Sequence, residues 1–180
     1  MADERVRMLL ESMKSVGIRE GDTVLDFCCG EGSYTIPAAI VAGEEGKVYA
    51  LDRSREKLDT LKKTIQEINI TNIEIMEYEF ISTIPLPENS IDVVLLYDIF
   101  WYFHLGDDRL PDLLEETRRL LKPDGLVSVY PEHIDERRLC EVIKSKNYIL
   151  RDKAELKILH EGCFKKDCIY NYMPEHVNHP

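Results

Sequence analysis

The apolar residues of the chain fall into two rhythms that alternate along it. Val6, Leu9, Leu10, Met13 and Val16 recur at helical spacing and predict a helix over residues 3–16, stopped by Gly17. Thr23-Val24-Leu25-Asp26-Phe27-Cys28 is a short, nearly continuous apolar run, the pattern of a buried parallel strand. A glycine loop, Gly30-Glu31-Gly32, follows it. Ser33 is placed to cap a helix running through Ala38, Ala39, Ile40 and Val41 to Gly43, and Pro37 is expected to kink that helix. Lys47 to Asp52 reads as a second strand and Ile73 to Tyr78 as a third. Between them Ser54 caps a helix with Leu58, Leu61, Ile65 and Ile68 on its apolar face. Pro85, Pro87 and Asn89-Ser90 mark a loop, and Ile91 to Tyr97 is the most β-rich run, predicted to be a central strand.

A helix from about Asp108 to Lys122 would bury Leu110, Leu113, Leu114, Thr117, Leu120 and Leu121. Asp107 and Asp108 stand at its positive end, and Arg118, Arg119 and Lys122 at its negative end. Pro123-Asp124-Gly125 ends it, Leu126 to Tyr130 forms a fifth strand, and residues 135–146 form a helix with Leu139, Val142 and Ile143 inward. Beyond residue 146 the alternation stops. Two extended segments, roughly 148–159 and 164–172, flank His160-Glu161-Gly162-Cys163 and predict an antiparallel hairpin. The expected fold is therefore α/β: a doubly wound, mostly parallel, seven-stranded sheet with helices on both faces and a C-terminal antiparallel hairpin. With no repeat or linker, residues 1–180 read as a single domain. Sheets of this kind bind ligands beyond the carboxyl ends of their strands, where Asp26, Asp52 and Asp98 fall.

Composition narrows the partners. At 180 residues and 44% hydrophobic, the chain suits one substantial core and is too short for two ordinary domains. No apolar run reaches the roughly 18 residues of a membrane span, and the opening MADERVRM is no secretory signal, so a cytoplasmic protein off the membrane is expected. A net charge of −11 disfavours nucleic acid, although a local basic patch could survive the average; neutral or basic small molecules suit such a field better. The five cysteines are odd in number and lack any CxxC pair, which predicts free structural thiols and no metal site.

The chemistry centres on Val24-Leu25-Asp26-Phe27-Cys28-Cys29-Gly30-Glu31-Gly32-Ser33. Two glycines allow a tight turn and close approach of a ligand. Asp52 ends the next strand, twenty residues past Gly32, where a carboxylate can accept from both hydroxyls of a ribose. A dinucleotide loop prefers a third glycine where this chain has Thr35. Asp26 and Glu31, with Asp52, Glu79 and Asp98 predicted nearby, would repel a pyrophosphate and suit the cationic sulfonium and ammonium of S-adenosylmethionine.

With these residues in place, the chain resembles the class I (Rossmann-like) S-adenosylmethionine-dependent methyltransferases of the small-molecule type. Asp26-Phe27-Cys28-Cys29-Gly30-Glu31-Gly32 is similar to their D-x-G-x-G-x-G motif, with Cys28 replacing the first glycine. Asp52 stands at the position of their ribose-binding acid, and Glu79-Phe80 where they contact adenine. Pro85 to Val94 looks like the lead into strand four, and Arg118 to Gly125 like the passage into strand five. The likeness runs from about residue 20 to 130. It implies a cofactor site of Asp26, Cys28, Gly30, Gly32, Asp52, Arg53, Glu79, Phe80 and Tyr97. Gly30 and Gly32 would admit the methionine portion, and Asp26 would hold its ammonium.

The resemblance also puts Tyr97-Asp98-Ile99-Phe100-Trp101-Tyr102-Phe103-His104 at the mouth, with Trp101, Tyr102 and His104 toward the acceptor. Methyl transfer needs alignment and dryness; where the acceptor must lose a proton, Asp98 and His104 are the candidate bases, with His133 a third. The Asn/Asp-Pro-Pro-Tyr/Phe turn of enzymes acting on DNA bases or protein glutamine is replaced here by Tyr97-Asp98-Ile99-Phe100. A small-molecule acceptor is expected, in a monomer or homodimer, with the helix over 3–16 as a lid. Methylation of RNA or protein and a non-catalytic S-adenosylmethionine-binding module are the alternatives.

Overall fold

Alternating apolar runs build the expected sheet. The structure, a computed structural model, describes residues 2–79, 83–100, 102–103, 109–160 and 162–175, with the side chains of residues 2, 3 and 160 left out. Helices α1 (Ala2–Val16), α2 (Thr35–Ala42), α3 (Arg55–Glu67), α4 (Arg109–Leu120) and α5 (Glu136–Ser145) accompany seven strands. These are β1 (Thr23–Phe27), β2 (Lys47–Asp52), β3 (Ile73–Glu77), β4 (Ile91–Leu96), β5 (Leu121–Val129), β6 (Tyr148–His160) and β7 (Cys163–Pro174). The sheet order is β3-β2-β1-β4-β5-β7-β6, parallel from β3 to β5 and antiparallel through β7 and β6. The chain winds outward from β1 to β3 and then returns to β4 on the other side of β1. That reversal opens a crevice at the strand tips between β1 and β4.

The central strands split their side chains between the two faces of the sheet. Leu25, Phe27, Leu51, Val94 and Leu96 face α4 and α5; Val24, Val48, Val93 and Leu95 face α1 and α2, while Ala50 lies under α3. Asp92 ties three elements at the blunt end of the sheet. It accepts from the Thr23 amide at 2.8 Å and from Lys122 Nζ at 2.7 Å.

Several local expectations change. Ser33 does not cap α2: the helix starts at Thr35 after Tyr34, with no side-chain cap, because the glycine loop itself turns into it. Pro37 then lies in the first turn, where a missing N–H leaves no intrahelical bond unmade. Val6 and Ile68 are exposed, since the faces they stand on have run past their neighbouring elements. Helix α4 ends at Leu120, and Leu121 is already paired with Ile91. Residues 122–125 then bulge out before Val93 pairs with Leu126.

Strand and helix do not alternate between β3 and β4, where the described residues form a helix-free strap. Ile84 and Leu86 plug it into the core. Arg119 and Glu116 of α4 hold its backbone: the guanidinium donates to the carbonyls of Ile84 and Leu86, each at 3.0 Å, and Glu116 accepts from the Ile84 amide at 2.7 Å. The Arg119 signature thus staples a connection that has no helix to bury it.

Candidate active site

The first strand tip is where the backbone bends hardest. Cys28 leaves β1 at φ 63, Gly30 follows at 59 and Gly32 at 88, so the loop curls back on itself in left-handed steps. The Cys29 amide bonds to the Leu51 carbonyl at 2.9 Å and extends the β1–β2 contact by one residue. The two glycines do different work. A Cβ on Gly30 would meet only Lys57 Cδ, at 3.9 Å, so its surface is open to a ligand. A Cβ on Gly32 would lie 2.4 Å from Leu61 Cδ1, so that glycine lets the loop seat on α3.

Two buried carboxylates stand at the tips of β1 and β2. Asp52 accepts from the Gly30 amide and the Ser54 amide, each at 2.8 Å. One bond to each oxygen fixes the carboxylate and leaves lone pairs for two further donors. Asp26 accepts one bond, from Thr35 Oγ1 at 2.6 Å. Burial pushes the Asp26 carboxyl up to about 7; the Thr35 bond opposes this, and Asp52 and Asp98 add to it. A carboxylate so placed favours a cationic ligand, which would restore its charge. The same burial, with Asp52 and Asp26 beside it, pushes the Cys28 thiol up to about 12, so it stays a neutral thiol.

Asp26, Cys28, Gly30, Asp52, Arg53, Glu79, Tyr97, Asp98 and Tyr102 all line one cleft of about 740 Å³ at the crevice. The Tyr97 ring is buried edge-on to Tyr34, and its hydroxyl pairs with Ser128 Oγ at 2.7 Å, so that hydroxyl is already engaged. Arg53 lies over the Tyr102 ring at 4.8 Å. Phe103 packs edge-on to Phe27 and under the Arg109 guanidinium. Phe80, Trp101 and His104, together with Asp107 and Asp108, lie outside the described residues. His133 sits beside Glu132, 4.0 Å away, and does not line the cleft.

Tertiary structure adds residues that local motifs do not reveal. Arg5 of α1, Tyr34, Lys57, Tyr78, Arg109, and Leu159 and Gly162 at the hairpin tip share the same lining. The described lining thus carries five carboxylates and also four cations, Arg5, Arg53, Lys57 and Arg109. Of the four, Arg53 was expected there, and Arg5, Lys57 and Arg109 were not. The signal was weak: Arg5 and Lys57 sit on helices whose rotation decides where they point. Among the described residues no cluster could hold a metal ion, and no helix is long and apolar enough to cross a membrane.

Residues 24–125 match the family described as Methyltransferase domain. The chain belongs to that family. It is 32% identical over 120 residues to a demethylmenaquinone methyltransferase of Oceanobacillus iheyensis, covering 65% of this chain and 47% of that one. A Geobacillus demethylmenaquinone methyltransferase is 31% identical over 120 residues, covering 65% and 48%. The chain spans about half the length of the curated relatives it matches. Among solved structures, a SAM dependent methyltransferase from Aquifex aeolicus superposes with a TM-score of 0.72 at 24% identity, covering 92% of this chain and 88% of that chain. Magnesium protoporphyrin IX methyltransferase from Synechocystis PCC 6803, solved with bound SAM, gives 0.69 at 16%, covering 96% and 79%.

The family domain and its Rossmann-like fold support S-adenosylmethionine as the cofactor. The donor set fits that cofactor: open backbone at Gly30, a fixed carboxylate with acceptor capacity at Asp52, and a buried carboxylate lacking any cationic hydrogen-bond donor at Asp26.

Proposed function

We propose that the chain transfers a methyl group from S-adenosylmethionine to a small acceptor at the mouth of the cleft. The observation that carries this reading is the pair Asp26 and Asp52 facing one hollow at the reversal point of the sheet. Asp52 accepts the ribose hydroxyls, the Gly30 backbone lies against the cofactor, and Asp26 holds its ammonium. Arg53 and Glu79 flank the adenine. When bound, S-adenosylmethionine supplies a methyl carbon already activated by a positive sulfur. The protein's own task is then to align the acceptor and keep water out. Phe103, buried between Phe27 and Arg109, provides part of that dry wall, and Tyr102 under Arg53 stands exposed at the mouth.

Asp98 is the proton acceptor wherever the acceptor atom must be deprotonated. It follows β4 at φ 54, which turns the chain sharply at the strand tip as it enters the cleft lining. The curated relatives are named for demethylmenaquinone, which supports a small-molecule acceptor for this chain.

The test has two arms. Calorimetry should show S-adenosylhomocysteine binding to the wild-type chain and about a hundredfold loss in Asp52→Ala, which removes charge-assisted bonds. Labelled-methyl transfer into pooled small metabolites should exceed transfer into RNA or protein. No S-adenosylhomocysteine binding would defeat the reading. Binding without transfer to any acceptor would make the chain a cofactor-binding module instead.

A further inference from the structure

Besides the carboxylates at the tips of β1 and β2, the cleft lining holds a cation from α1. Arg5 comes from the first turns of α1, and its guanidinium lines the same cleft as Asp26. It rests over the Phe164 ring, 5.9 Å from the centroid. That contact is its one interaction among the described residues, none of whose carboxylates comes within ion-pair reach. The helix that carries it is tied to its surroundings. Ser12 of α1 donates to the Lys157 carbonyl at 3.0 Å, and Tyr34, on the loop beyond Gly32, donates to the Leu159 carbonyl at 2.6 Å. Helix, hairpin tip and glycine loop are thereby tied together around one opening.

A guanidinium beside an aromatic ring keeps N–H donors for a planar anion, and a carboxylate fits them in a two-pronged way. We propose that Arg5 is a carboxylate-binding residue, so that Asp26 below and Arg5 above make the end of the cleft complementary to an amino acid zwitterion. The inference rests on the methyltransferase reading. The carboxylate has two sources, the amino acid end of the cofactor or an acidic acceptor lying against it, and the two are experimentally distinct.

Binding to the intact chain and to Arg5→Gln and Arg5→Lys is measured by calorimetry with three probes. S-adenosylhomocysteine carries both ammonium and carboxylate, its decarboxylated analogue only the ammonium, and methylthioadenosine neither. If the cofactor is the source, Arg5→Gln weakens S-adenosylhomocysteine about tenfold, Arg5→Lys recovers part of the loss, and the other two probes are unaffected. If the acceptor is the source, S-adenosylhomocysteine is unaffected. The loaded wild-type protein then prefers benzoate over benzamide, and Arg5→Gln abolishes the preference. Either pattern supports the proposal. It is overturned if Arg5→Gln changes neither preference, or weakens all three nucleosides equally, which would mark a purely structural role. Failure of S-adenosylhomocysteine to bind the wild-type chain would instead sink the methyltransferase reading beneath it.

Discussion

The floor and the roof of the cleft are built by different means. The floor, from β1 through the glycine loop to Asp52, is assembled from residues close in sequence, and backbone amides fix its key carboxylate. The roof joins α1 to a hairpin tip more than 140 residues away, through side chain to carbonyl bonds. A floor made of backbone turns tolerates almost no change of shape. A roof made of a few side-chain ties can shift, so it is where related chains can differ in what they admit.

The largest effect expected from that contrast comes from adding one methyl to each part. In Gly32→Ala the Cβ would clash with Leu61, which is fully buried and cannot swing away, at a φ of 88. Overpacking plus the left-handed backbone should cost about 3 kcal/mol. In Gly162→Ala the new Cβ meets nothing within 4 Å, so only the φ of 77 opposes it, for about 1 kcal/mol. Chemical denaturation of both variants measures the difference; equal losses would erase the distinction between floor and roof.

Asp26 gives an effect of comparable size, and it depends on pH. Folding raises this carboxyl from 3.8 to about 7, so the ligand-free fold is favoured at low pH and loses that stability as the pH climbs through about 7. Asp26→Asn can still accept the Thr35 bond without carrying the charge. It should be more stable than wild type at pH 8, by at most about 4 kcal/mol, and nearly equal to it below pH 4. Cofactor affinity should run the other way, rising in the wild-type chain as Asp26 ionises and flat across the same range in Asp26→Asn. Thermal unfolding and calorimetry between pH 4 and 8 read both. A flat wild-type affinity profile would remove Asp26 from the ammonium site.

On the roof, Tyr34→Phe removes the bond to the Leu159 carbonyl at a buried position. A loss of about 1 kcal/mol is expected, with faster hydrogen exchange confined to the hairpin tip. Exchange that quickened throughout the sheet would show that the tip is no separate unit.

Legibility follows the same division. Asp26, Gly30 and Asp52 could be read from the chain because a strand, a turn and a ribose-binding acid sit at spacings that covalent geometry sets. The doubly wound, mostly parallel sheet was legible from the alternation of strand and helix patterns. The loop before β4 was legible from Pro85, Pro87 and Asn89-Ser90, but its clamp was not, because Arg119 and Glu116 hold it from 30 or more residues away. Arg5 and Leu159 were hidden likewise. Nothing in MADERVRM says that the fifth residue will face the tip of a hairpin that has yet to be built. Tyr97 marks the boundary: its position at the strand tip was readable, while its hydroxyl's engagement with Ser128 was not.

The smallest expected effect lies within the floor and has the opposite sign. Cys28 occupies the first glycine position of the loop and is held at φ 63, where a side chain is strained. Its thiol is half-buried and kept protonated, so it offers no charge in return. Glycine adopts that backbone freely, and Cys28→Gly should relieve about 1 kcal/mol of strain. Against this stands the greater freedom glycine gives the unfolded chain, roughly 0.5–1 kcal/mol, and the loss of a few packing contacts. The net gain is therefore at most a few tenths of a kcal/mol. Denaturation midpoints resolve a change of that size when the slope is unchanged, and S-adenosylhomocysteine affinity should stay within about twofold of wild type. A marked loss of affinity would show that Cys28 shapes the cleft through its side chain, and that the floor is not made by backbone alone.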